Sequence, residues 1–265
     1  MYVRTYGDVG PLVVVLHGGP GAPGSAAGLA RGLAVGFRVH EPFQRGSGEE
    51  PLTVARHVAD LHGLVEALPD RPALVGWSWG AMLALAYAAE HPRTVGPLVV
   101  VGSGTFTRVA RERMGRILDE RMGSELRRRL DRLEAELPDP DRRLAALADL
   151  LGPLYDYEPT GPTGEVEADA DAHRQTWEDM VRLQDQGTYP AALSSIRSPV
   201  LMIHGAYDPH PGGMIRASLQ PWLPWLEYRE LERCGHSPWR ERWAREEFFA
   251  VVREWLTRHL ETHQG

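Results

Sequence analysis

Short apolar runs that alternate with longer helical stretches are the feature that most constrains how this chain folds. Most of the runs are continuously apolar, as parallel strands buried on both faces are. Alternation of this kind predicts an α/β fold built on a doubly wound, mostly parallel sheet with right-handed crossovers. The predicted strands are 11–17, 37–41, 72–77, 97–103, 198–205 and 226–231. The predicted helices between them are 25–34, 53–68, 79–91, 212–220 and 241–260.

The alternation stops between the fourth and fifth predicted strands. This stretch has no convincing strand and reads as charged amphipathic helices, with a break near Gly123 and a Gly/Pro-rich loop over 155–169. We therefore expect a core domain formed by 1–104 and 197–265, with a helical cap over 105–196 inserted into it. The charged helices are expected to present a solvated face rather than a binding patch.

Composition excludes several functional classes. The net charge of −7 argues against non-specific nucleic-acid binding, which needs a basic face. The longest apolar runs, six or seven residues, are far too short to span a bilayer. Cys234 is the single cysteine, which excludes an internal disulfide and a cysteine-rich zinc site. All 29 basic residues are arginine, which excludes a lysine Schiff base and a P-loop lysine. We expect a cytoplasmic protein without metal or cofactor.

The sequence GWSWG, Gly76 to Gly80, follows a predicted buried strand and opens an alanine-rich helix. A nucleophilic serine at such a strand–helix turn sits on a strained backbone, so the residues two before and two after it must be small. The helix directs its positive end toward the serine. Ser78 is therefore the predicted nucleophile.

A serine nucleophile needs a general base late in the chain. The candidates are His210, His236, His259 and His263. The last two lie on or beyond the C-terminal helix, where a solvated position is expected. His236 lies in a loop after the last predicted strand, where Gly235 lets the backbone turn, and we predict it to be the base.

The acid that orients this base is predicted to be Asp208. It lies just past the carboxyl end of predicted strand 198–205, between nucleophile and base in chain order. The strand that ends near Ser103 offers no carboxylate to compete with it.

The loop HGGPGAPG has two interpretations. Gly19, Gly21 and Gly24 match a dinucleotide-binding turn, and Glu41 ends the next strand near where a ribose-binding acid is expected. However, the two prolines of the loop remove backbone N–H donors that would cradle a pyrophosphate. The alternative is half of an oxyanion hole, with Gly19 and Trp79 donating the N–H groups.

Three segments resemble known motifs. The chain resembles the α/β-hydrolase superfamily over nearly its full length, and HGGPG (17–21) resembles the signature of the proline iminopeptidase family. FQRGSG (43–48) is similar to that family's DQRGSG, and GWSWG is similar to its GGSWG. The resemblance implies an α/β-hydrolase fold and release of an N-terminal residue, typically proline, from a small peptide. The residues that it implies are the triad Ser78, Asp208 and His236 and the oxyanion donors Gly19 and Trp79.

The chain also departs from that family. Phe43 replaces the aspartate of DQRG, and the cap is shorter than expected. The family's cap carries a WE element whose carboxylate pairs with the substrate amine, and Trp177-Glu178 offers a match, although a solvated helical glutamate is an equal interpretation. The predicted substrate-binding residues are Gly18, Trp77 and Glu178.

The sequence thus predicts a cofactor-independent serine hydrolase for a small ester or amide, or for a short peptide. The alternatives are a carboxylesterase or lactonase without peptidase activity, a dinucleotide-binding oxidoreductase, and a catalytically silent hydrolase fold that acts as a binding module. The sequence makes no prediction of oligomeric state.

Overall fold

A single sheet organises the molecule. The computed structural model describes residues 1–161 and 167–261. Within these residues seven strands follow the order β1-β3-β2-β4-β5-β6-β7, and each neighbouring pair is parallel except β1 with β3. The predicted α/β fold with a mostly parallel sheet is confirmed. The strands are β1 (Val3–Tyr6), β2 (Leu12–Leu16), β3 (Arg38–Pro42), β4 (Ala73–Trp77), β5 (Leu98–Val101), β6 (Val200–Gly205) and β7 (Glu227–Leu231).

Strand β1 was not predicted from the sequence. Its four residues, VRTY, lie at the edge of the sheet and are mostly half-buried, so they lack the apolar run that marks the other strands. It forms because β3 offers it an antiparallel partner, with Val3 opposite Pro42 and Tyr6 opposite Val39. An edge strand of this kind is specified by its neighbour more than by its own residues.

Helices cover both faces of the sheet. Successive residues of β2 face opposite layers, so that Val14 belongs to a buried cluster that includes residues of α2, α3 and α8, whereas Val13 belongs to one that includes residues of α1 and α9. Helix α3 is alanine-rich because almost all of it is buried against the sheet. The helices are α1 (Ala27–Leu33), α2 (Val54–Glu66), α3 (Trp79–Glu90), α4 (Arg108–Arg121), α5 (Ser124–Glu136), α6 (Pro140–Tyr155), α7 (Ala170–Asp185), α8 (Gly212–Leu219) and α9 (Arg245–Glu261).

Helices α4 to α7 fill the interval between β5 and β6. The expected break in the long charged stretch lies at Gly123, which separates α4 from α5. The predicted loop over 155–169 includes residues 162–166, which lie outside the described residues, as does His263. The boundaries of the cap, 105–196, stay a prediction. In the described part of the chain, no helix has both the length and the apolarity to cross a membrane.

Candidate active site

The predicted nucleophile lies on a strained turn between β4 and α3. Ser78 has φ 56° and ψ −118°, a conformation that a residue with a side chain rarely adopts. A Cβ on Gly76 would collide with the carbonyl oxygen of Gly80, and a Cβ on Gly80 would collide with that of Leu16. The two glycines therefore let strand and helix approach closely enough to make this turn. Ser78 is the N-cap of α3, yet its side chain makes no capping hydrogen bond.

The predicted acid and base follow two neighbouring strands. Asp208 comes after β6 and His236 comes after β7, and because these strands are parallel their carboxyl ends share one edge. The Nδ1–H of His236 donates to Oδ2 of Asp208 at 2.8 Å. With its proton held on Nδ1, the ring keeps the Nε2 lone pair free, which is the tautomer that a base requires.

Contacts around Gly102 and Trp77 bring the serine and histidine into one cluster. A Cβ on Gly102 would lie 2.9 Å from Nδ1 of His236. The adjacent Val101 accepts a hydrogen bond from the backbone N–H of Ser78 at 2.9 Å. Trp77 is half-buried, and its Nε1–H donates to the backbone carbonyl of His236 at 3.0 Å. The structure thus assembles the three predicted residues at the carboxyl edge of the sheet, and their catalytic roles stay a prediction.

A second histidine shares the carboxylate of Asp208. The ring Nδ1–H and the backbone N–H of His210 each donate to Oδ1 of Asp208 at 2.9 Å. Its ring stacks on that of His236, with centroids 4.7 Å apart. Sequence reasoning weighed His210 only as an alternative base. Its position two residues after the acid was the available signal, because a residue there can fold back onto the carboxylate.

Burial and charge act in opposite directions on these groups. Burial alone would raise the pKa of Asp208, but the adjacent imidazoles and their hydrogen bonds hold it well below its usual value. Burial alone would lower the pKa of His236, but the Asp208 charge and hydrogen bond, with the Asp156 charge, raise it above 6.5. Burial keeps the pKa of His210 below 6.5 despite the same carboxylate. The site therefore holds an ionised aspartate beside a basic His236 and a neutral His210.

Asp208, His210 and His236 also lie close enough together to be considered as a metal site. Their possible ligand atoms are all within 4.8 Å of one another. Both ring nitrogens that face the carboxylate already donate protons to it. This donor arrangement favours a hydrogen-bonded cluster over metal binding, since each nitrogen would have to give up a charge-assisted hydrogen bond.

The glycine loop after β2 lies against the serine. A Cβ on Gly18 would lie 3.1 Å from the Cβ of Ser78 and 2.9 Å from the Trp77 ring, so only glycine fits there. Gly19 follows with φ 115°. Trp79 occupies the first position of α3, where a backbone N–H has no partner within the helix. One predicted oxyanion donor, Gly19, thus follows a glycine that touches the nucleophile, and the other, Trp79, follows the nucleophile in the chain.

Comparison with known proteins agrees with this geometry. Residues 11–237 match the model of the family described as "alpha/beta hydrolase fold". The chain belongs to the alpha/beta hydrolase fold family. The prediction of an α/β-hydrolase fold is confirmed, and the resemblance to proline iminopeptidases is confirmed by the relatives that follow.

Two curated relatives of this α/β hydrolase carry different activities in their names. A pimeloyl-[acyl-carrier protein] methyl ester esterase of Aromatoleum aromaticum is 29% identical, over 86% of this chain and 92% of the relative. A proline iminopeptidase of Lactobacillus helveticus is 27% identical, over 98% of this chain and 95% of the relative. The crystal structure of the proline iminopeptidase of Mycobacterium smegmatis superimposes with a TM-score of 0.66 at 22% identity, covering 97% and 94%, and shows the shared fold. With such relatives, the chain is a hydrolase.

The α/β-hydrolase assignment also bears on Glu41, which the dinucleotide alternative needed beside a ribose. Glu41 is completely buried and accepts a hydrogen bond from the Tyr6 hydroxyl at 2.7 Å. In the pairing of β1 with β3, Glu41 lies opposite Arg4. A buried carboxylate in this position supports the edge of the sheet, and its burial argues against the oxidoreductase alternative.

The predicted substrate contact Glu178 faces solvent in this hydrolase. Its carboxylate is 64% exposed and pairs with Arg174 at 3.2 Å. The same arginine bonds Asp171 at 2.9 Å, as expected for neighbours on a helix surface. Trp177 is half-buried and packs against the core. The described contacts of Glu178 are those of a solvated helical glutamate, and its role as an amine anchor stays a prediction.

Glu241 is a residue that sequence reasoning missed. It is completely buried, and its carboxylate accepts backbone N–H groups of Tyr157 and Glu158 at 2.7 Å and of Gly235 at 2.8 Å. It therefore ties the loop of His236 to the end of α6. This inward turn also explains why α9 begins at Arg245 and not near 241 as predicted. Nothing in the local sequence distinguishes it from a surface glutamate.

Proposed function

We propose that this protein is a serine hydrolase of small carboxylic esters or amides, with Ser78 as nucleophile, His236 as base and Asp208 as orienting acid. The observation that carries the proposal is the strained Ser78, whose side chain makes no capping hydrogen bond, at the same edge of the sheet as an imidazole that an ionised carboxylate holds in the basic tautomer. A strained backbone persists where surrounding structure enforces it, often at functional sites.

The reaction follows from the roles of these groups. His236 accepts the Ser78 proton at Nε2 as the serine oxygen attacks the substrate carbonyl. The resulting oxyanion accepts hydrogen bonds from the backbone N–H groups of Gly19 and Trp79. His236 then returns its proton to the departing alcohol or amine, leaving an acyl-serine, and water attacks this ester by the same route. Asp208 stabilises the imidazolium in both steps.

We also propose that residues 105–196 act as a cap over this site. The end of α6 supports this view, because the backbone N–H of His236 donates to the Tyr155 carbonyl at 3.0 Å. The start of α7 supports it as well, since the backbone N–H of Asp169 donates to the carbonyl of Gly21 at 2.8 Å. Two points within the segment thus touch loops that carry proposed catalytic groups.

A fluorophosphonate probe tests the proposed nucleophile directly. We expect one stoichiometric adduct, located on Ser78 by peptide mass spectrometry, because the probe reacts with activated serines. An adduct on another serine would contradict the assignment of Ser78, and an unlabelled protein would contradict the proposal and favour the silent binding module.

The choice between ester and prolyl substrates follows from the cap. The exposed position of Glu178 leaves the amine anchor without support, so we expect short-chain aryl esters to be cleaved with a kcat/KM at least about 10-fold above that of prolyl-arylamide, the size of one lost ionic hydrogen bond. The iminopeptidase relative favours the prolyl substrate as second candidate.

Glu178→Ala should leave the rates of ester and arylamide cleavage unchanged. Asp171→Ala, which removes the other partner of Arg174, is the matched control. A selective loss of arylamidase activity in Glu178→Ala would establish the anchor.

The pH dependence reports the base. His236 must be neutral to accept the Ser78 proton, and its raised pKa keeps the ring protonated to higher pH than an ordinary histidine. The kcat/KM for an aryl ester should therefore rise with pH through a midpoint above 6.5 and then level off. A midpoint below 6.5 would mean that the Asp208 carboxylate does not dominate the environment of the working base.

A further inference from the structure

Gln44, in the loop after β3, joins the two loops that carry the proposed oxyanion donors. It is 8% exposed, and both ends of its amide are used. Its Oε1 accepts from the Trp79 indole N–H at 2.7 Å, and its Nε2–H donates to the His17 carbonyl at 2.9 Å. Because an indole N–H can only donate and a carbonyl can only accept, the orientation of this amide is determined.

Gln44 also determines the tautomer of His17. Its backbone N–H donates to His17 Nε2 at 3.0 Å, so this nitrogen must carry a lone pair. The ring proton therefore lies on Nδ1, which donates to the carbonyl of Gly18 at 2.8 Å. Burial lowers the pKa of His17 to about 4, although the Gly18 bond opposes the shift. His17 is thus neutral, in one tautomer, at any pH near neutrality.

The hydrogen bond from the His17 ring to the Gly18 carbonyl sets the direction of the Gly19 N–H. The Gly18–Gly19 peptide is trans, so its carbonyl and its N–H point to opposite sides of the chain. With the Gly18 carbonyl held against His17, the N–H of Gly19 points away from that ring. Gly18 itself lies against Ser78. Rotation of this peptide would exchange the donor for a carbonyl, which would repel an oxyanion.

The hydrogen bond between the Gln44 amide oxygen and the Trp79 indole affects the second proposed donor, the Trp79 backbone N–H. Trp79 is 2% exposed, and its ring lies edge-on to His57, with centroids 5.7 Å apart. Its indole N–H is satisfied by Gln44 alone among the described contacts. The Trp79 side chain is therefore anchored on the loop after β3. The Trp79 backbone N–H lies in the first turn of α3, where an N–H group has no partner within the helix.

We propose that Gln44 is a positioning residue whose side chain aligns both donors of the oxyanion hole, Gly19 through the His17 carbonyl and Trp79 directly. The inference rests on the proposed function, since an oxyanion hole presupposes the serine reaction. Gln44 is not placed on substrate; its effect comes from holding two donors at the separation that a tetrahedral oxyanion needs. Phe43, the departure from the DQRG pattern, packs outward on Tyr2 with ring centroids 4.9 Å apart and leaves this arrangement intact.

The test is Gln44→Met, which keeps the volume and removes both side-chain hydrogen bonds. We expect kcat for p-nitrophenyl acetate to fall about 10- to 100-fold, less than the loss of a donor outright, with KM changed by less than about threefold. The affinity for an aryl trifluoromethyl ketone, whose serine adduct carries an oxyanion, should fall by the same factor as kcat/KM. A purely structural role would not move these two quantities together.

Gln184→Met is the matched control. Gln184 is 9% exposed, and it too donates to a backbone carbonyl, that of Thr105 at 2.9 Å, and accepts from a side chain, Arg111 at 3.2 Å. We expect a comparable loss of thermal stability with kcat and ketone affinity unchanged. If Gln44→Met keeps its kcat and ketone affinity, or if Gln184→Met loses them equally, the inference is wrong.

A second variant covers the case in which Gln44→Met does not fold. Gln44→Glu keeps an acceptor for Trp79, but its ionised form cannot donate to the His17 carbonyl. Protonation restores a donor, so the ratio of its kcat/KM to that of the unmodified protein should rise as pH falls. A constant ratio would overturn the inference.

Fluorophosphonate labelling of the unmodified protein separates the proposed function from the positioning role of Gln44. An unreactive Ser78 contradicts the proposed function. A labelled Ser78 together with Gln44 variants of unchanged kcat contradicts only the positioning role.

Discussion

Replacing Ser78 with alanine is expected to lower kcat for aryl esters by roughly 10⁴- to 10⁶-fold and to abolish fluorophosphonate labelling. The reason is that no acyl-enzyme can form without the hydroxyl, so only general base catalysis on water by His236 remains. The fold should survive, since the Ser78 side chain makes no capping bond to α3. Measurement needs kcat, the labelling stoichiometry and a thermal melt of the same preparation.

Ser198→Ala is the control for this experiment. Ser198 is also buried, and its hydroxyl donates to the Val95 carbonyl at 3.2 Å near the opposite edge of the sheet, where β6 begins. We expect it to cost a small amount of stability and to leave labelling intact. A Ser78→Ala protein that retains more than about one hundredth of the activity would exclude a serine mechanism.

Asp208→Asn is expected to lower kcat by about 10⁴-fold with little change in KM. Two N–H groups of His210 converge on one carboxylate oxygen, whereas within the described residues the other oxygen receives a hydrogen bond only from the His236 ring. The asparagine oxygen should therefore turn toward His210, and its NH₂ group should face Nδ1 of His236. That nitrogen must then accept, which moves the ring proton to Nε2 and removes the lone pair that takes the serine proton.

The residual activity of Asp208→Asn carries a second signature. Removal of the carboxylate charge leaves burial to lower the pKa of His236, so the acidic limb of kcat/KM should move to lower pH than in the unmodified protein. Asp60→Asn is the control, because Asp60 is also paired, with Arg45 at 2.6 Å, but has no described contact with Ser78, Asp208 or His236. A kcat within about 10-fold of the unmodified protein would show that another group orients the base.

Much of the fold and of the candidate site follows from local patterns. The steric demands of a strand–turn–helix junction act within five residues, and for that reason the glycines around Ser78 could be interpreted without any knowledge of the rest of the chain. The parallel strands could be predicted on similar grounds, because their burial on both faces leaves a continuous apolar run. Strand β1 escaped prediction because a short edge strand carries no such run.

Contacts between distant segments could not be predicted in this way. The predicted substrate contact of Trp77 stays a prediction, but the hydrogen bond that its indole donates to the His236 carbonyl, 159 residues away in the chain, has no signal in the local sequence. Gln44 and Glu241 have no local pattern, because their partners are backbone groups on other loops. The direction of Glu178 depends on how α7 packs, and helical periodicity alone leaves that open.

Residues 76–80 and the order of serine, acid and base thus indicate the proposed chemistry, since backbone strain is a property of a short segment and chain order can be read without any contacts. The packing of the loops after β2, β3, β6 and β7 assigns the remaining roles. It gives Asp208 two histidines and gives the glycine loop its support from Gln44. The physical reason is that hydrogen bonds join groups by their distance in space, and that distance exists only once the sheet has brought its carboxyl ends together.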